Sequence, residues 1–331
     1  MTLALVAILV GFAGLIWSAD RFVAGAAGIA RNMGMAPMMI GLTIVAIGTS
    51  APELIVSINA ALDHAGGLAI GNAIGSNLAN VGLVLGVTAL ISPIPITASI
   101  IKRELPLLLI ATFGALFFLL DNKLELIDGI AFLAMLAGIF YILVTSKSHQ
   151  PDAELATDTE HVPDIPQSKA WLLFFVGLIL LIASSRALVW GSVEIAAALG
   201  VSDLIIGLTV VAVGTSLPEL AATVASALKG HHDIALGNII GSNLFNLLGV
   251  MAMPAMITPS ALDPEVFSRD YLSMTAITLL LAAMLIAPLL LRKFKRQEPA
   301  GNKVGRIGRG EGALLLLAYG AYYYLLLSVS L

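Results

Sequence analysis

Cysteine is absent from this chain of 331 residues, so neither disulfide staples nor thiolate metal sites are available to it. Charge is scarce as well: 11% of residues are Asp, Glu, Lys or Arg, against 59% hydrophobic residues and a mean hydropathy of +0.98. A soluble domain is about 25% charged and about 45–50% apolar, so a soluble globular protein is excluded. Aromatics make up only 6% and period-two alternation is missing. That excludes an outer-membrane barrel, whose strands alternate over about 10 residues. No basic region precedes the first apolar stretch, whose first charge is Asp20. A cleavable signal would need such a region, so the stretch reads as a first spanning helix. What remains is an all-α, multi-pass integral membrane protein.

The apolar runs divide into about ten transmembrane helices, near 2–30, 37–62, 67–91, 104–120, 124–145, 170–199, 203–228, 233–257, 271–291 and 311–330, each long enough for a hydrocarbon core about 30 Å thick. The stretch 146–169, SKSHQPDAELATDTEHVPDIPQSK, is polar, acidic and Pro-containing. It reads as a linker between a first half, 1–145, and a second half, 170–331. Lys and Arg gather on one set of loops (Arg31, Lys102, Arg103, Lys147, Lys169, Lys229 and the run from Arg292 to Arg309), with only Lys123 and Arg269 on the other set. The positive-inside rule then makes the first set, and the linker, cytoplasmic and leaves both termini outside. With five helices in each half, the second enters the membrane from the opposite side, which makes the halves inverted repeats. The net charge of −4 says little, because the charges are clustered.

The repetition is explicit. Residues 40–54 read IGLTIVAIGTSAPEL and residues 206–220 read IGLTVVAVGTSLPEL. The run from Gly71 to Asn80, GNAIGSNLAN, recurs from Gly237 to Asn246 as GNIIGSNLFN. The offset is constant, 219 − 53 = 166 and 246 − 80 = 166. Each copy sets one carboxylate, Glu53 or Glu219, in an uncharged apolar segment, and no Lys or Arg sits in the core of the four motif spans. An ionised acid at the bilayer centre costs about 2.5–3.5 kcal/mol on insertion scales, which marks both as functional. Two facing acids repel unless a cation sits between them or one is protonated. One Ca²⁺ or two Na⁺ would neutralise the pair.

The surrounding residues supply oxygen. Pro52 and Pro218 lack an N–H and free the carbonyls of Gly48 and Gly214, and in lipid a freed carbonyl needs a partner. A hard cation is one candidate, and Thr49, Ser50, Thr215 and Ser216 add hydroxyls on the same turns. On the next helix of each half, Asn72, Ser76 and Asn80 share a face, as do Asn238, Ser242 and Asn246. Gly71 and Gly75, with Gly237 and Gly241, have the small-xxx-small spacing that permits close helix approach. Taken alone, Asn72, Asn77, Asn238 and Asn243 read as interhelical glue, Asp20 and Arg21 as an interfacial pair at a helix end, and His231-His232-Asp233 as a solvated loop.

The paired G-T-S-x-P-E and G-N-x-x-G-S-N-x-x-N motifs resemble those of the cation/Ca²⁺ exchanger superfamily, and over the full length the chain resembles its prokaryotic Na⁺/Ca²⁺ antiporters. The resemblance implies a compact bundle of the four motif helices, past which the first and sixth helices slide to give alternating access. It implies that Glu53 and Glu219 are the acids shared by Ca²⁺ and Na⁺. Thr49, Ser50, Thr215, Ser216, Ser76 and Ser242 would be oxygen ligands, the carbonyls of Ala46 and Ala212 would serve outer Na⁺ sites, and Asn80 and Asn246 would occupy the central pair. Some relatives, K⁺-dependent ones among them, carry Asp at the position of Asn246. The amide leaves two formal charges rather than three and disfavours obligatory K⁺ co-transport. The expectation is a secondary antiporter that takes Na⁺ in and Ca²⁺ out across a prokaryotic inner membrane. Its partners are those two ions and membrane lipid, with no cofactor, no nucleic acid and no obligate protein partner. A Ca²⁺/H⁺ antiporter using Glu53 or Glu219 as proton carrier is the alternative. A channel would need a filter ring, which the sequence lacks, and an intramembrane enzyme acting on phosphate would want Arg, Lys or His beside the acids.

Overall fold

Helices fill nearly all of the computed structural model, which describes residues 1–146, 164–200, 210, 212–294 and 303–330. The first half runs α1 (Thr2–Asn32), α2 (Pro37–Ile40), a π-helical turn (Gly41–Val45), α3 (Ala46–Thr49), α4 (Ala51–Leu62) and α5 (Gly66–Ala79). A second π turn (Asn80–Leu85) leads to α6 (Gly86–Ile91), β1 (Ile94–Thr97), a third π turn (Ile100–Glu104), α7 (Leu105–Leu119), β2 (Lys123–Leu124) and α8 (Leu126–Ser146). The second half runs α9 (Gln167–Ala198), α10 (Ala212–Thr215), α11 (Leu217–Leu228), α12 (His232–Phe245), a π turn (Asn246–Val250) and α13 (Ala252–Ile257). It continues with β3 (Ser260–Ala261), a π turn (Val266–Tyr271), α14 (Leu272–Phe294), β4 (Lys303–Ile307) and α15 (Arg309–Ser330). Each of the ten apolar stretches is helical over most of its described residues. By length and hydropathy, six helices among the described residues are able to cross a membrane, or seven counting the pair Pro37–Thr49 and Ala51–Leu62. Most of the expected linker lies outside the described residues, and α9 starts at Gln167, before the expected 170.

The 166-residue offset holds for structure as well as for sequence. Added to α4, α5 and α6 it gives the bounds of α11, α12 and α13, and added to Asn80 and Ile100 it gives the first residues of two later π turns. Even turn geometry repeats: His64 (φ 58°) and Gly230 (φ 80°), one offset apart, both adopt the left-handed conformation that ends a helix.

Contacts divide the chain into two units, Met1–Pro52 with Gln150–Asn238, and Glu53–His149 with Ile239–Leu331. In the first unit the long helices α1 and α9 lie antiparallel against each other. Cβ atoms at Gly25 and Gly177 would lie 2.4 Å from the Phe174 nitrogen and 2.5 Å from the Phe22 nitrogen, so the backbones touch only because these residues are glycine. Gly11 and Gly191, their repeat equivalents, meet Leu188 and Ala4 in the same way. Lipid tails are as apolar as Leu, so the gain comes from close van der Waals contact, which small residues allow. The Phe22 and Phe174 rings pack beside this seam with centroids 4.8 Å apart and planes tilted by 33°. Asp20 lies within α1 and not at its end. Its partner is Lys229, at 2.6 Å, rather than Arg21, whose guanidinium lies 5.2 Å from the Trp17 ring centre. The adjacent pair of the sequence reading fails because successive helix positions face different directions. His231 is buried rather than solvated.

In the second unit the strands exchange between repeats. β1 pairs antiparallel with β4, and β2 with β3, so each half supplies one strand to each ribbon. The helices do likewise: α6 lies against α15, where Gly86 meets Leu316, and α8 lies against α13, where Gly129 meets Met256. Tyr271, fully buried, donates its hydroxyl to the Thr112 carbonyl at 2.6 Å.

Candidate functional site

Proline sets the local geometry. Pro218 stands at the start of α11, after a break at Ser216, and Pro52 stands after the matching break at Ser50. Ser50 (φ −84°, ψ 6°) and Ser216 (φ −88°, ψ 5°) adopt the same conformation, in the sparsely populated bridge region where many active-site residues lie. At Ser50 the helix bends by 44°. Each break therefore presents a hydroxyl, loosened carbonyls and, three residues on, an acid.

In the first unit, Ser50 Oγ of one repeat donates to Glu219 Oε1 of the other at 3.1 Å. Glu219 is buried, and among the described residues its second oxygen has no hydrogen-bond partner, nor has the buried hydroxyl of Ser216. Thr49 Oγ1 donates to Asn238 Oδ1 at 3.1 Å, and Asn238 Nδ2 donates to Thr223 Oγ1 at 3.0 Å. This relay fixes the amide orientation and so the direction of the Thr49 hydroxyl. The Ala46 carbonyl accepts the Ser50 N–H at 3.0 Å. Ala212 opens α10 and Thr215, half-buried, closes it.

The Gly214 carbonyl, freed by Pro218, accepts the hydroxyl of Ser185 on α9 at 3.0 Å. The sequence reading offered a cation as the partner for this oxygen, and the protein supplies its own donor. Gly237 lies against α2 and its following turn, where its Cβ would come within 2.7 Å of the Met38 carbonyl and 3.1 Å of Gly41, as the small-xxx-small spacing implied. Nothing among the described residues approaches a Cβ at Gly71 or Gly75. The repeat partner of Gly41 is Gly207, outside the described residues.

In the second unit, Glu53 is fully buried, and its backbone carbonyl accepts Asn72 Nδ2 at 3.0 Å. The same amide nitrogen donates to Ser57 Oγ at 3.0 Å, and Ser57 in turn donates to the Ala69 carbonyl at 3.1 Å. Asn72 and Ser57 are the repeat equivalents of Asn238 and Thr223, so the same bracing bond occurs in both copies. Asn80 and Asn246 each begin a π turn and are buried, as are Ser76 and Ser242. Neither amide atom of Asn246, nor the amide nitrogen of Asn80, has a hydrogen-bond partner among the described residues. A π turn widens the helix by one residue, and such turns recur at functional sites.

The bracing role of Ser185 escaped the sequence reading. Asn238, four residues before Ser242 on the polar face, makes the interhelical bonds that its reading as glue implied. Ser185 has Ala19 as its repeat equivalent, so symmetry gave no signal. The remaining cue was the orphan carbonyl four residues before Pro218. Chemically, each unit offers one buried carboxylate among hydroxyl and amide groups, donors that suit hard cations. Among the described residues no three His, Cys, Asp or Glu side chains cluster to hold a metal ion.

The family described as sodium/calcium exchanger protein matches residues 3–145 and 169–328. The candidate antiporter CaxA of Alkalimonas amylolytica is 46% identical over 331 residues, 99% of this chain and all of its own length. The sodium/calcium exchanger MaX1 of Methanosarcina acetivorans is 33% identical over 290 residues, covering 76% of this chain and 82% of its own. Among solved structures, the sodium-calcium exchanger NCX_Mj superposes with a TM-score of 0.80 at 32% identity, covering 98% of this chain and 99% of that one.

Proposed function

The chain belongs to the sodium/calcium exchanger family, and from that premise we propose that it is a secondary antiporter that exchanges Na⁺ for Ca²⁺ by alternating access and exports Ca²⁺. Glu53 and Glu219 supply the charge that binds either cargo. Thr49, Ser50, Thr215, Ser216, Ser76 and Ser242 supply hydroxyl oxygens, Asn80 and Asn246 supply amide oxygens, and the carbonyls of Ala46 and Ala212 serve Na⁺. The observation that carries this reading is the bond from Ser50 of one repeat to Glu219 of the other. It ties a broken helix of each half to one carboxylate, with a second carboxylate oxygen left over for a cation. A site that is costly when ionised and empty, and satisfied by one Ca²⁺ or two Na⁺, couples the two ions without further parts.

The halves are inverted repeats, with both termini outside and the 146–169 linker in the cytoplasm of a prokaryotic inner membrane. Supporting this, β1 and β4 belong to loops that the Lys and Arg count puts on one side, and β2 and β3 to loops that it puts on the other. If each cycle carries one net positive charge inward, a potential of about 100 mV adds about 2.3 kcal/mol. Ca²⁺/H⁺ exchange is the second reading, since a buried carboxylate is also a proton site.

Radiolabelled Ca²⁺ flux in proteoliposomes, with Na⁺, H⁺ and K⁺ gradients imposed separately, decides between them. Ca²⁺ movement driven by Na⁺ alone is expected. Movement driven by a pH gradient and indifferent to Na⁺ would transfer the assignment to proton exchange.

A further inference from the structure

Helices α1 and α9 are locked to each other along their length. Cβ atoms at Gly11, Gly25, Gly177 and Gly191 would each lie within 2.8 Å of backbone atoms of the facing helix. Backbones this close leave no room for one helix to shift along the other, because a shift would bring a side chain to a glycine position. The two move as one body, and any change in their position is controlled where they meet other helices.

One charged contact marks that boundary. Lys229 directly follows α11, and its Nζ lies 2.6 Å from Asp20 Oδ1 and donates to the Asp20 carbonyl at 3.2 Å. Asp20 stands well inside α1, where an acid without a partner is costly in a bilayer. The two side chains are 51% and 30% exposed, so the pair lies at the edge of the helix contact and can open without unpacking a core.

The other repeat shows that the charges are not incidental. At the 166-residue offset, Asp20 corresponds to Arg186 on α9, and Lys229 corresponds to Asp63, directly after α4. Neither residue is kept, yet the two positions carry opposite charges in both copies, with the signs exchanged. A lysine at a helix C-terminus suits the macrodipole, whereas an aspartate there opposes it. The helix end therefore does not dictate the charge, and what both copies retain is the complementarity.

The contact has a single register. Asp20 is the only acid in the sequence of α1, and the residues one turn away, Ile16, Trp17, Val23 and Ala24, carry no carboxylate. A slide of one helical turn, about 5.4 Å, takes Asp20 beyond the reach of an ion pair, about 4 Å, and brings Lys229 no substitute. The bond is either made or broken.

We propose that Asp20 and Lys229 form a latch that holds the α1–α9 pair against α11 in one transport state and opens once in every exchange cycle. The latch rests on the alternating-access reading above and adds to it a named contact that biases the balance between states.

The absence of cysteine makes the test direct. Asp20→Cys combined with Lys229→Cys places the only two thiols of the chain at the contact. In proteoliposomes, bridging them with a short bifunctional thiol reagent should stop Ca²⁺ exchange, while a monofunctional reagent should leave it running. The bridged protein should still bind radiolabelled Ca²⁺, since the bridge fixes one state without touching the ion-binding groups. The flux followed is that of the untreated double variant, whether Na⁺ or H⁺ drives it, so an error in the coupling ion does not count against the latch. Ca²⁺ flux that needs no counter-ion would refute alternating access, and the latch with it. Undiminished exchange by protein whose bridge is confirmed by intact mass, failure of the thiols to bridge, or loss of Ca²⁺ binding on bridging would overturn the latch alone. A second set of variants needs no reagent. Asp20→Lys sets two like charges face to face and should change turnover about threefold, and adding Lys229→Asp should bring it back. Equal turnover in all of these proteins, or a change that the exchanged pair does not repair, would overturn the proposal as well.

Discussion

Ser185 and Pro218 should be coupled, because one repairs the gap that the other opens. Pro218 removes the N–H that would have bonded the Gly214 carbonyl, and Ser185 Oγ takes its place at 3.0 Å. Ser185 is 5% exposed and Pro218 is buried, so water does not substitute easily. Ser185→Ala loses a bond worth about 1–2 kcal/mol in a membrane helix, and the abandoned carbonyl adds up to about 1–3 kcal/mol of desolvation cost. A destabilisation of about 2 kcal/mol is expected in the native background. In a Pro218→Ala background the restored N–H reaches the Gly214 carbonyl by the ordinary helical bond, and the same Ser185→Ala change should cost less than about 0.5 kcal/mol. The difference is the interaction term of a double-mutant cycle, read from equilibrium unfolding of the four proteins in mixed micelles. Equal costs in the two backgrounds would refute the claim that the serine serves the proline-freed carbonyl.

Other outcomes follow from single contacts. Ser50→Ala removes the hydroxyl that donates to Glu219, a charge-assisted bond worth about 1.5–3 kcal/mol. Half-saturation for Ca²⁺ should rise tenfold or more, and Ser50→Thr should restore most of it. Gly25→Ala and Gly177→Ala place a Cβ 2.4–2.5 Å from backbone nitrogen across the α1–α9 seam. Each should cost about 1–3 kcal/mol, visible as a lower melting temperature in detergent. Asn246→Asp adds a third formal charge at a buried position without hydrogen-bond partners among the described residues. Flux should then acquire K⁺ or pH dependence, and an unchanged ion profile would count against the charge argument.

Much of this architecture was legible because the chain repeats itself. The offset that aligns Glu53 with Glu219 also aligns α4 with α11 and α5 with α12, so a symmetry read from letters became a symmetry of elements. Hydropathy located the helices, since burial in lipid requires apolar residues all round. It did not reveal the π turns at Asn80 and Asn246, whose extra residue leaves no mark on an apolar run. Nor did it reveal the strand exchange between repeats, because Ile94–Thr97 and Lys303–Ile307 are too short to show a period and pair across more than two hundred residues. Asp20 found Lys229 rather than its neighbour Arg21 for a similar reason: partners in a helical bundle are chosen by facing direction, not by adjacency. The burial of Glu53 and Glu219 was legible too, since each acid lies in an apolar span.

The most direct measurement is Na⁺-driven Ca²⁺ flux in proteoliposomes carrying Glu53→Gln or Glu219→Gln, each checked for correct insertion and a native melting profile. Both variants are expected to lose exchange while remaining folded, because the amide keeps the shape and removes the charge. Undiminished Na⁺-driven flux in either one would contradict the assignment of the paired carboxylates as the ion-carrying groups.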